Sequence, residues 1–356
     1  MAFASCPPNL RDTNNVSPGN YCIIEVKPNW HDSTELLGYE SRIGGHHYVV
    51  TPFVNFLVKA MHHPDVPFFV CLDEMNLAPV EQYFAEFLSV LESRKLNGNE
   101  IVTEPLIKKE YTSIFIKDFE NAYYGQQNRT SEKTYDTQAT QDVSTEYRTG
   151  IFADIKENGL RLPSNVIVIG TVNMDETTYQ FSRKVIDRAM TIEMNEVHFD
   201  KIFNDSVDTL QYTDPHLGAE FFLPKYTAAK DALSHIADTD KEYLKTNIPS
   251  LLNELDGTLK TTPFRIAYRV ENELIIYFTA LREEKHDSAP EELLNCAIDD
   301  ILMMKVLPRI EGNEDVLEAP LKGLAIFTQG KYPKASAKVQ EMQERLKINH
   351  FTSFWP

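Results

Sequence analysis

The stretch VPFFVCLDEMN, residues 66–76, is a continuous run of apolar residues that ends in two acids, Asp73 and Glu74. Its length is that of a strand, and an unbroken apolar run indicates a strand buried on both faces, as in a parallel sheet. In open α/β sheets, ligands bind at the carboxyl ends of the strands. Strands also often end in solvated acids, so the Asp-Glu pair alone leaves a ligand site and a plain surface equally open.

The segments around this run alternate between strand and helix patterns. Strand patterns occur in YCIIEVKP (21–28), in VIVIGTV (166–172) and, more briefly, in MTIEM (190–194). Helical spacing of apolar residues occurs in TPFVNFLVKAMHH (51–63), VEQYFAEFLSVLESRK (80–95) and TTYQFSRKVIDRA (177–189). This alternation predicts an α/β fold with a doubly wound parallel sheet.

The patterning also predicts how the chain is divided. Residues 1–20 are rich in Pro, Asn, Ser and Gly and predict an irregular leader. The pattern over residues 21–197 predicts the α/β core. A weakly patterned polar segment at about residues 97–159 interrupts it and predicts a surface insertion. Residues 198–356 carry several segments of helical spacing and few strand candidates, which predicts a second, mainly helical domain.

Composition excludes several classes of protein. Apolar residues make up 42% of the chain and charged residues 25%, and no run approaches about 20 apolar residues, so we expect no membrane span. The four cysteines show no CxxC spacing, which predicts neither a zinc site nor a disulfide framework and favours the cytoplasm. The net charge of −18 repels phosphate backbones, so contact with DNA would depend largely on another domain or subunit.

A second polar strand end strengthens the case for a ligand site. The strand pattern VIVIGTV is followed directly by Asn173, and the carboxyl ends of parallel strands meet at one edge of a sheet. Two acids after one strand and an amide after another match the positions at which P-loop NTPases hold Mg²⁺ and orient the attacking water. The plainer interpretation is that Asn173 only caps or turns the chain.

Two longer segments, taken in order, resemble the AAA+ domain of McrB-type proteins. They are LDEMNLAPVEQYFAEFLSVLESRK (72–95) and GTVNMDETTYQFSRKVIDRA (170–189), and three further segments agree: VKPNWHDSTELLGY (26–39), KVLPRIEG (305–312) and FTSFWP (351–356). McrB-type proteins are the nucleotide-hydrolysing subunits of modified-cytosine-dependent restriction systems. The resemblance implies an AAA+ parallel sheet with helices on both faces, followed by a helical lid domain.

The resemblance also implies roles for the strand-end residues. Asp73 would hold Mg²⁺, Glu74 would be the catalytic carboxylate, and Asn173 would be the sensor 1 amide beside the γ-phosphate.

Three arginines receive roles on the same ground. AAA+ rings supply an arginine finger across the subunit interface from the region after sensor 1, where Arg183 and Arg188 are the candidates. Arg269 in AYRVENEL resembles the sensor 2 position of the lid. As alternatives, Arg188 would pair with Asp187 or Glu193, and Arg269 would be an ordinary solvated helix residue.

Cofactors and partners follow from the resemblance alone. It implies ATP or GTP with Mg²⁺, a homo-oligomeric ring (a hexamer), a McrC-like nuclease subunit, and DNA reached indirectly. A non-catalytic AAA+ scaffold and a MoxR-like chaperone ATPase are the alternatives.

The phosphate-binding loop of these enzymes is not found in the sequence. The motif GxxxxGK[ST], whose amides and lysine cradle phosphates, does not occur, and Gly330–Lys331 is followed by Tyr332. We expect either a truncated start or a degenerate subunit. In both cases the chain alone should bind ATP or GTP weakly and hydrolyse neither at a useful rate.

Overall fold

The computed structural model describes the chain in six stretches: residues 1–11, 17–98, 100–131, 145–173, 178–194 and 218–355, the side chains of 126–131 and 145–149 excepted. Parts of some predicted features lie outside the described residues: 12–16 of the leader, 132–144 of the insertion, 174–175 of the second strand motif and 177 of the helix after it. The chain forms two compact units. The first comprises Met1–Phe181 and Val197–Pro224, and the second Ser182–Glu196 and Lys225–Pro356.

The first unit holds the helices α1 (Ala2–Ser5), α2 (Thr34–Leu37), α3 (Pro52–Met61), α4 (Val80–Tyr83), α5 (Ala85–Glu92), α6 (Lys109–Ser131) and α7 (Thr145–Asn158). Its strands are β1 (Tyr21–Glu25), β2 (Tyr39–Ser41), β3 (His47–Val49), β4 (Phe68–Asp73), β5 (Lys95–Asn97), β6 (Glu100–Val102), β7 (Pro105–Ile107), β8 (Leu160–Arg161) and β9 (Val166–Gly170).

Three of these strands form a parallel sheet in the order β1-β4-β9. The apolar run of the first motif is the central strand β4, and its five residues from Phe68 to Leu72 are all buried. The register pairs Ile24 with Leu72 and Leu72 with Gly170, so the three strands end at the same edge. The predictions of an α/β fold and of a parallel sheet built on this run are confirmed.

The two faces of the sheet are covered differently. On one face, Phe56 of α3 packs edge-on against Phe68, with ring centroids 5.2 Å apart. On the other face, Phe69 packs against Phe222, again at 5.2 Å. Ile23 and Ile169 of that face remain 54% and 39% exposed. Among the described residues, a helix therefore packs on one face, and the second face is partly open.

Three sequence predictions are wrong in detail. The helix expected over residues 80–95 is interrupted at Phe84, whose φ of −108° and ψ of 9° are not helical, and it ends at Glu92. The helix expected over residues 177–189 is reduced to α8 (Arg183–Ile186). The reason is that the Thr178 hydroxyl donates a hydrogen bond to the Asn173 carbonyl and the Tyr179 N–H donates one to the Asn76 carbonyl.

The third error is the strand expected at residues 190–194, which joins no sheet among the described residues. Thr191 donates its backbone N–H to the carbonyl of Met304 instead, and Glu193 pairs with Lys338. The segment from Ser182 to Glu196, which the sequence assigns to the α/β core, accordingly belongs to the second unit.

The polar insertion is more ordered than its composition predicts. Phe115, Phe119 and Tyr123 of α6 are buried, as are Phe152 and Ile155 of α7. Phe119 stacks on Tyr48 with ring centroids 5.2 Å apart, which joins this helix pair to β3. A polar surface loop is therefore the wrong description of residues 109–125 and 150–158, which belong to the core of the first unit.

The second unit is mainly helical, but residues 218–224, which the sequence assigns to the helical domain, belong to the first unit. Besides α8 it contains α9 (Ala229–Leu233), α10 (Asp238–Leu259), α11 (Tyr268–Glu284), α12 (Pro290–Ile301), α13 (Glu314–Thr328), α14 (Pro333–Asn349) and the antiparallel pair β10 (Glu311–Asn313) and β11 (Phe351–Ser353). Its helices share one apolar core that includes Leu244, Leu274, Phe278 and Val339. In the part of the chain that the structure describes, we find no helix with the length and apolar composition to cross a bilayer.

Thr51 is expected to stabilise the start of α3. Its hydroxyl accepts a hydrogen bond from the Val54 N–H at 3.2 Å and donates one to the Leu36 carbonyl at 2.6 Å. Thr51→Ala should lower the free energy of unfolding of the first unit by about 1–2 kcal/mol, measured by urea denaturation, because the N-cap acceptor is lost. Thr51→Ser keeps the hydroxyl and should cost less than about 0.5 kcal/mol. Equal losses in the two variants would assign the effect to the methyl group.

Candidate functional site

The carboxyl ends of β4 and β9 meet at a threonine that neither sequence motif singles out. The Thr171 hydroxyl donates to Oδ1 of Asp73 at 2.7 Å and accepts from the backbone N–H of Glu74 at 2.8 Å. The Thr171 N–H in turn donates to the Leu72 carbonyl at 3.0 Å. One side chain thus fixes the position of the first acid and the backbone of the second.

Glu74 has an unusual backbone conformation. Its φ of 51° and ψ of 51° lie in the left-handed region, which costs a non-glycine residue about 1–2 kcal/mol. The conformation is held on the far side by Met75, whose N–H donates to the Thr171 carbonyl at 2.8 Å. The chain therefore turns sharply at the strand end and leaves the Glu74 side chain exposed. Strain of this kind is typical of functional sites.

The loop after β4 is locked by buried polar groups. Asn76 is fully buried and donates its side-chain amide to the Asn173 carbonyl at 2.8 Å. Tyr83, also fully buried, donates its hydroxyl to the Met75 carbonyl at 2.9 Å. Burial raises the pKa of Tyr83, so this hydroxyl keeps its proton and remains a donor. A Cβ at Gly170 would lie 2.5 Å from the Met75 sulfur, so this close packing requires a glycine.

Asn173 lies at the same edge of the sheet as the two acids. Its carbonyl oxygen accepts from Asn76 and, at 2.9 Å, from the hydroxyl of Thr178. Within the described residues, its hydrogen bonds all use this carbonyl, and the residue is exposed. The side-chain amide is therefore not committed to capping the strand-end loop, and it lies on the surface beside the loop that carries Glu74.

The donor set at this edge fits part of a magnesium site. Asp73 is half-buried and Glu74 exposed, and neither forms an ion pair with any described residue. The described residues contain no group of three His, Cys, Asp or Glu side chains that could hold a metal ion. Mg²⁺ is commonly bound by one or two carboxylates together with substrate phosphates. The residues present therefore fit Mg²⁺ carried on a phosphate ligand, and not a metal held by protein alone.

The three candidate arginines all lie in the second unit. Arg183 is exposed, and its guanidinium lies over the Phe264 ring, 5.0 Å from the centroid. Arg188 donates to the Lys184 carbonyl at 2.7 Å, and Arg269 to the Asp187 carbonyl at 3.4 Å. Arg188 and Arg269 line one cavity, of which Arg183 is not a part.

Each of the two acids that the plainer interpretation offers to Arg188 forms an ion pair with another residue, and the role of Arg188 stays a prediction. Asp187 pairs with Arg309 at 3.1 Å, and Glu193 pairs with Lys338.

Comparison with known proteins adds one finding. A family model described as "Domain of unknown function (DUF8727)" matches residues 223–351. The match covers little more than a third of the chain, falls almost wholly in the second unit, and does not reach the strand ends of the first. No curated protein matches the chain.

Sequence reasoning missed Thr171 and Asn76 as parts of the site. The signal was present, because Thr171 directly follows the last residue of β9 and Asn76 follows the acids in the same motif. Their roles depend on the register of β4 against β9, which places Leu72 opposite Gly170. The sequence pattern of one strand does not show which residues of a neighbouring strand it pairs with.

Proposed function

We propose that this chain is the AAA+ nucleotide-hydrolysing subunit of a McrB-like restriction system, acting on ATP or GTP. The observation that carries the proposal is the strand-end cluster in which Thr171 ties the Asp73 carboxylate to the backbone of Glu74. Nucleotide hydrolysis needs one acid that holds the metal and a second residue that orients water. Two successive acids, the second on a strained and exposed turn, fit these two roles.

The residues of the cluster would divide the work. Bound Mg²⁺ would neutralise charge on the nucleotide phosphates. Asp73 would hold it through the oxygen that Thr171 does not engage, Glu74 would orient the attacking water, and the exposed Asn173 amide would help to fix that water. The locked loop at Asn76 keeps these groups in place before the ligand binds, which lowers the reorganisation needed for reaction.

The arginines would act from the second unit, which we propose is the lid. Arg269 would contact the phosphates of the same subunit. Arg183 or Arg188 would reach the nucleotide of a neighbouring subunit, and this role requires a homo-oligomeric ring, which we propose is a hexamer.

The nuclease partner of the proposed motor follows from the resemblance, and the net charge bears on its contact with DNA. With a net charge of −18, the chain repels DNA, and we propose that it acts on DNA only indirectly, with a McrC-like nuclease subunit that performs the cleavage.

A non-catalytic AAA+ scaffold is the second candidate. It is favoured by one observation, the absence of GxxxxGK[ST] from the 356 residues. In a scaffold, the same strand-end cluster would hold a nucleotide without turnover.

Metal binding in the presence of nucleotide tests the site itself. Mn²⁺ serves as a paramagnetic substitute for Mg²⁺, and its binding to the full chain is read from the enhancement of water proton relaxation over the same Mn²⁺–ATP or Mn²⁺–GTP mixture without protein, because the nucleotides alone complex Mn²⁺. We expect weak nucleotide-dependent binding that drops at least about tenfold in Asp73→Asn, since even the outer partners of metal ligands contribute about 10–100-fold. Asp65→Asn removes an exposed carboxylate at the turn before β4 and should leave binding unchanged.

Two results would count against these assignments. Equal Mn²⁺ binding in wild type and Asp73→Asn would overturn the metal role of Asp73. ATP or GTP turnover by the wild-type chain that disappears in Glu74→Gln would overturn the expectation that this chain alone is inactive, and would exclude the scaffold.

A further inference from the structure

The segment VKPNWHDSTELLGY, residues 26–39, begins at the same edge of the sheet as the two acids and has no role in the function proposed above. Val26 directly follows β1, and its N–H donates to the Asp73 carbonyl at 3.1 Å. Trp30 comes four residues later and is only 5% exposed. The segment is therefore part of the structure that surrounds the strand-end turn, which comprises residues 73–75.

Trp30 packs against one tyrosine of α4. Its ring meets the Tyr83 ring edge-on, with centroids 5.2 Å apart and an interplanar angle of 77°. Tyr83 is the last residue of α4 and is fully buried. The contact fixes the plane of the Tyr83 ring, and a phenolic oxygen lies in the plane of its ring. Trp30 therefore also limits where the Tyr83 hydroxyl can lie.

The Tyr83 hydroxyl is a polar group that the packing around it does not need. The aromatic residues next to it, Phe84 and Phe87, stack on each other without any hydroxyl. Burying a hydroxyl is unfavourable unless it is hydrogen-bonded. The hydroxyl of Tyr83 donates to the Met75 carbonyl at 2.9 Å, and this bond accounts for a tyrosine at the position.

Three hydrogen bonds hold three successive peptide groups of the strand-end turn. The Glu74 N–H donates to the Thr171 hydroxyl and the Met75 N–H to the Thr171 carbonyl, each at 2.8 Å. The Met75 carbonyl accepts the bond from Tyr83. Because the left-handed conformation of Glu74 is unfavourable, the turn depends on these bonds. Thr171 thus holds the peptide groups on either side of Glu74, and Tyr83 holds the next one.

The two partners act on different acids. Thr171 also donates to the Asp73 carboxylate at 2.7 Å, so loss of its hydroxyl would disturb both acids. Among the described residues, the Tyr83 hydroxyl has its hydrogen bond with Met75, beyond Glu74 in the turn. Loss of the Tyr83 hydroxyl would therefore disturb the turn that carries Glu74 and leave the Asp73 carboxylate in place.

We propose that Tyr83, held by Trp30, is a positioning residue for Glu74. It keeps the strained turn in the conformation that presents the Glu74 carboxylate to the attacking water. This inference rests on the proposed function of the strand-end site, in which Asp73 holds Mg²⁺ and Glu74 orients water. It also gives the segment 26–39 a role, which is to support the acid that orients water.

Hydrogen exchange of the full chain, without nucleotide or metal, tests the positioning itself. Tyr83→Phe keeps the ring and removes the hydroxyl. Exchange of the Glu74 and Met75 N–H groups, measured by mass spectrometry with residue-level fragmentation, should accelerate about two- to tenfold, the equivalent of one net hydrogen bond. Amides at the centre of β4 should be unaffected. Tyr48→Phe is the matched control, because it removes a buried hydroxyl that donates to the Leu37 carbonyl at 3.0 Å, and it should leave the turn unchanged.

Mn²⁺ with ATP or GTP separates this inference from the proposed function. In the water proton relaxation measurement, Tyr83→Phe should leave the affinity for Mn²⁺–nucleotide unchanged, because Asp73 keeps its bond from Thr171. The relaxation enhancement of the saturated complex should change in the same direction as in Glu74→Gln, because both variants alter the water beside the metal. A purely structural role of the hydroxyl would not produce this resemblance to Glu74→Gln.

Other outcomes would overturn the positioning role. One is unchanged exchange at Glu74 and Met75 in Tyr83→Phe, and another is an equal acceleration there in Tyr48→Phe. A loss of Mn²⁺–nucleotide affinity as large as that of Asp73→Asn would show that the hydroxyl acts on the acid that holds the metal. If wild type binds no Mn²⁺–nucleotide but the exchange result holds, the proposed function fails and the support of the turn by Tyr83 is confirmed.

Discussion

Lys305→Met is expected to lower the free energy of unfolding of the second unit by about 3–5 kcal/mol, as removal of one partner from a buried ion pair commonly does. The Lys305 side chain is 3% exposed and lies 3.0 Å from Glu273, which is 20% exposed. Methionine fills much of the same space but leaves the Glu273 carboxylate without its cation. It also removes the donor to two backbone carbonyls, those of Asp187 and Ala189. Urea denaturation followed by circular dichroism measures the loss.

The pH dependence of the stability loss in Lys305→Met should identify the unpaired Glu273 carboxylate as its cause. Burial raises the pKa of Glu273, and the charge of Lys305 opposes that rise. Without Lys305 the pKa of Glu273 in the folded state rises further, so folding becomes linked to uptake of a proton. Stability linked to a raised pKa is present at low pH and is lost as pH rises through the folded pKa. The deficit of Lys305→Met relative to wild type should therefore shrink as pH falls from neutral into the acid range.

A second substitution provides the control. Lys305→Met combined with Glu273→Gln removes the unpaired charge and should recover about 1–3 kcal/mol of the loss, the penalty of an unsatisfied buried group. The difference in stability between the double variant and Lys305→Met should shrink as pH falls into the acid range, because only the single variant keeps a Glu273 carboxyl without Lys305. A double variant as unstable as Lys305→Met at every pH would assign the whole effect to packing and to the two carbonyls.

The sheet could be predicted from the sequence because its strands are decided locally. The run from Phe68 to Leu72 is buried throughout, and a strand covered on both faces needs apolar residues at every position. The helical second unit was predictable for a similar reason, since its helices show apolar spacing along their length.

The errors arise where the partner of a segment decides its structure. Residues 190–194 do alternate, with Met190, Ile192 and Met194 facing outward and Glu193 facing Lys338, but their backbone meets Met304 and not a strand. Alternation describes an extended chain, whereas a sheet also needs a neighbour. The pattern alone does not show whether that neighbour exists.

In the insertion, apolar residues at helical spacing were present, but many polar residues stand between them. Phe115, Phe119 and Tyr123 are spaced four residues apart and are all buried, although α6 is kinked at Phe115, whose φ of −106° and ψ of 19° are not helical. Polar residues between them lower the average hydrophobicity, so the composition favoured a surface loop. Periodicity is the better guide here, because a few large aromatic rings bury enough surface to fix a helix.

In the candidate site, too, some features are determined by neighbouring residues in the sequence and others by residues far along the chain. Asp73 and Glu74 were predictable as strand-end acids, because the residue types and their position after β4 are local facts. The left-handed conformation of Glu74 was not, because it depends on bonds from Thr171, 97 residues away in the chain. The sequence thus predicts which groups are available, and the register of the sheet decides how they are held.

At the opposite edge of the sheet, one buried amide joins the starts of β4 and β9, and Asn165→Ala should lower the free energy of unfolding of the first unit by about 2–3 kcal/mol. Asn165 is 2% exposed, and its side-chain nitrogen, with two N–H groups to share, lies 2.8–3.1 Å from the carbonyl oxygens of Ala60, His63 and Val66. Its own carbonyl accepts from Phe68 at 2.8 Å, where β4 begins. Alanine would remove the donor from the Val66 carbonyl, and the carbonyls of Ala60 and His63 would keep only the backbone N–H groups of His63 and Val66.

Two further variants at asparagines make this prediction specific. Asn165→Asp keeps the shape but supplies no N–H, so it should cost at least as much as alanine if the donor is what matters. Asn158→Ala removes an exposed amide that bonds only Asp154 and should change stability by less than about 0.5 kcal/mol. If Asn165→Asp were as stable as wild type, packing volume rather than hydrogen bonding would hold the joint. The start of the sheet would then not fix the register that places Asp73 beside Thr171.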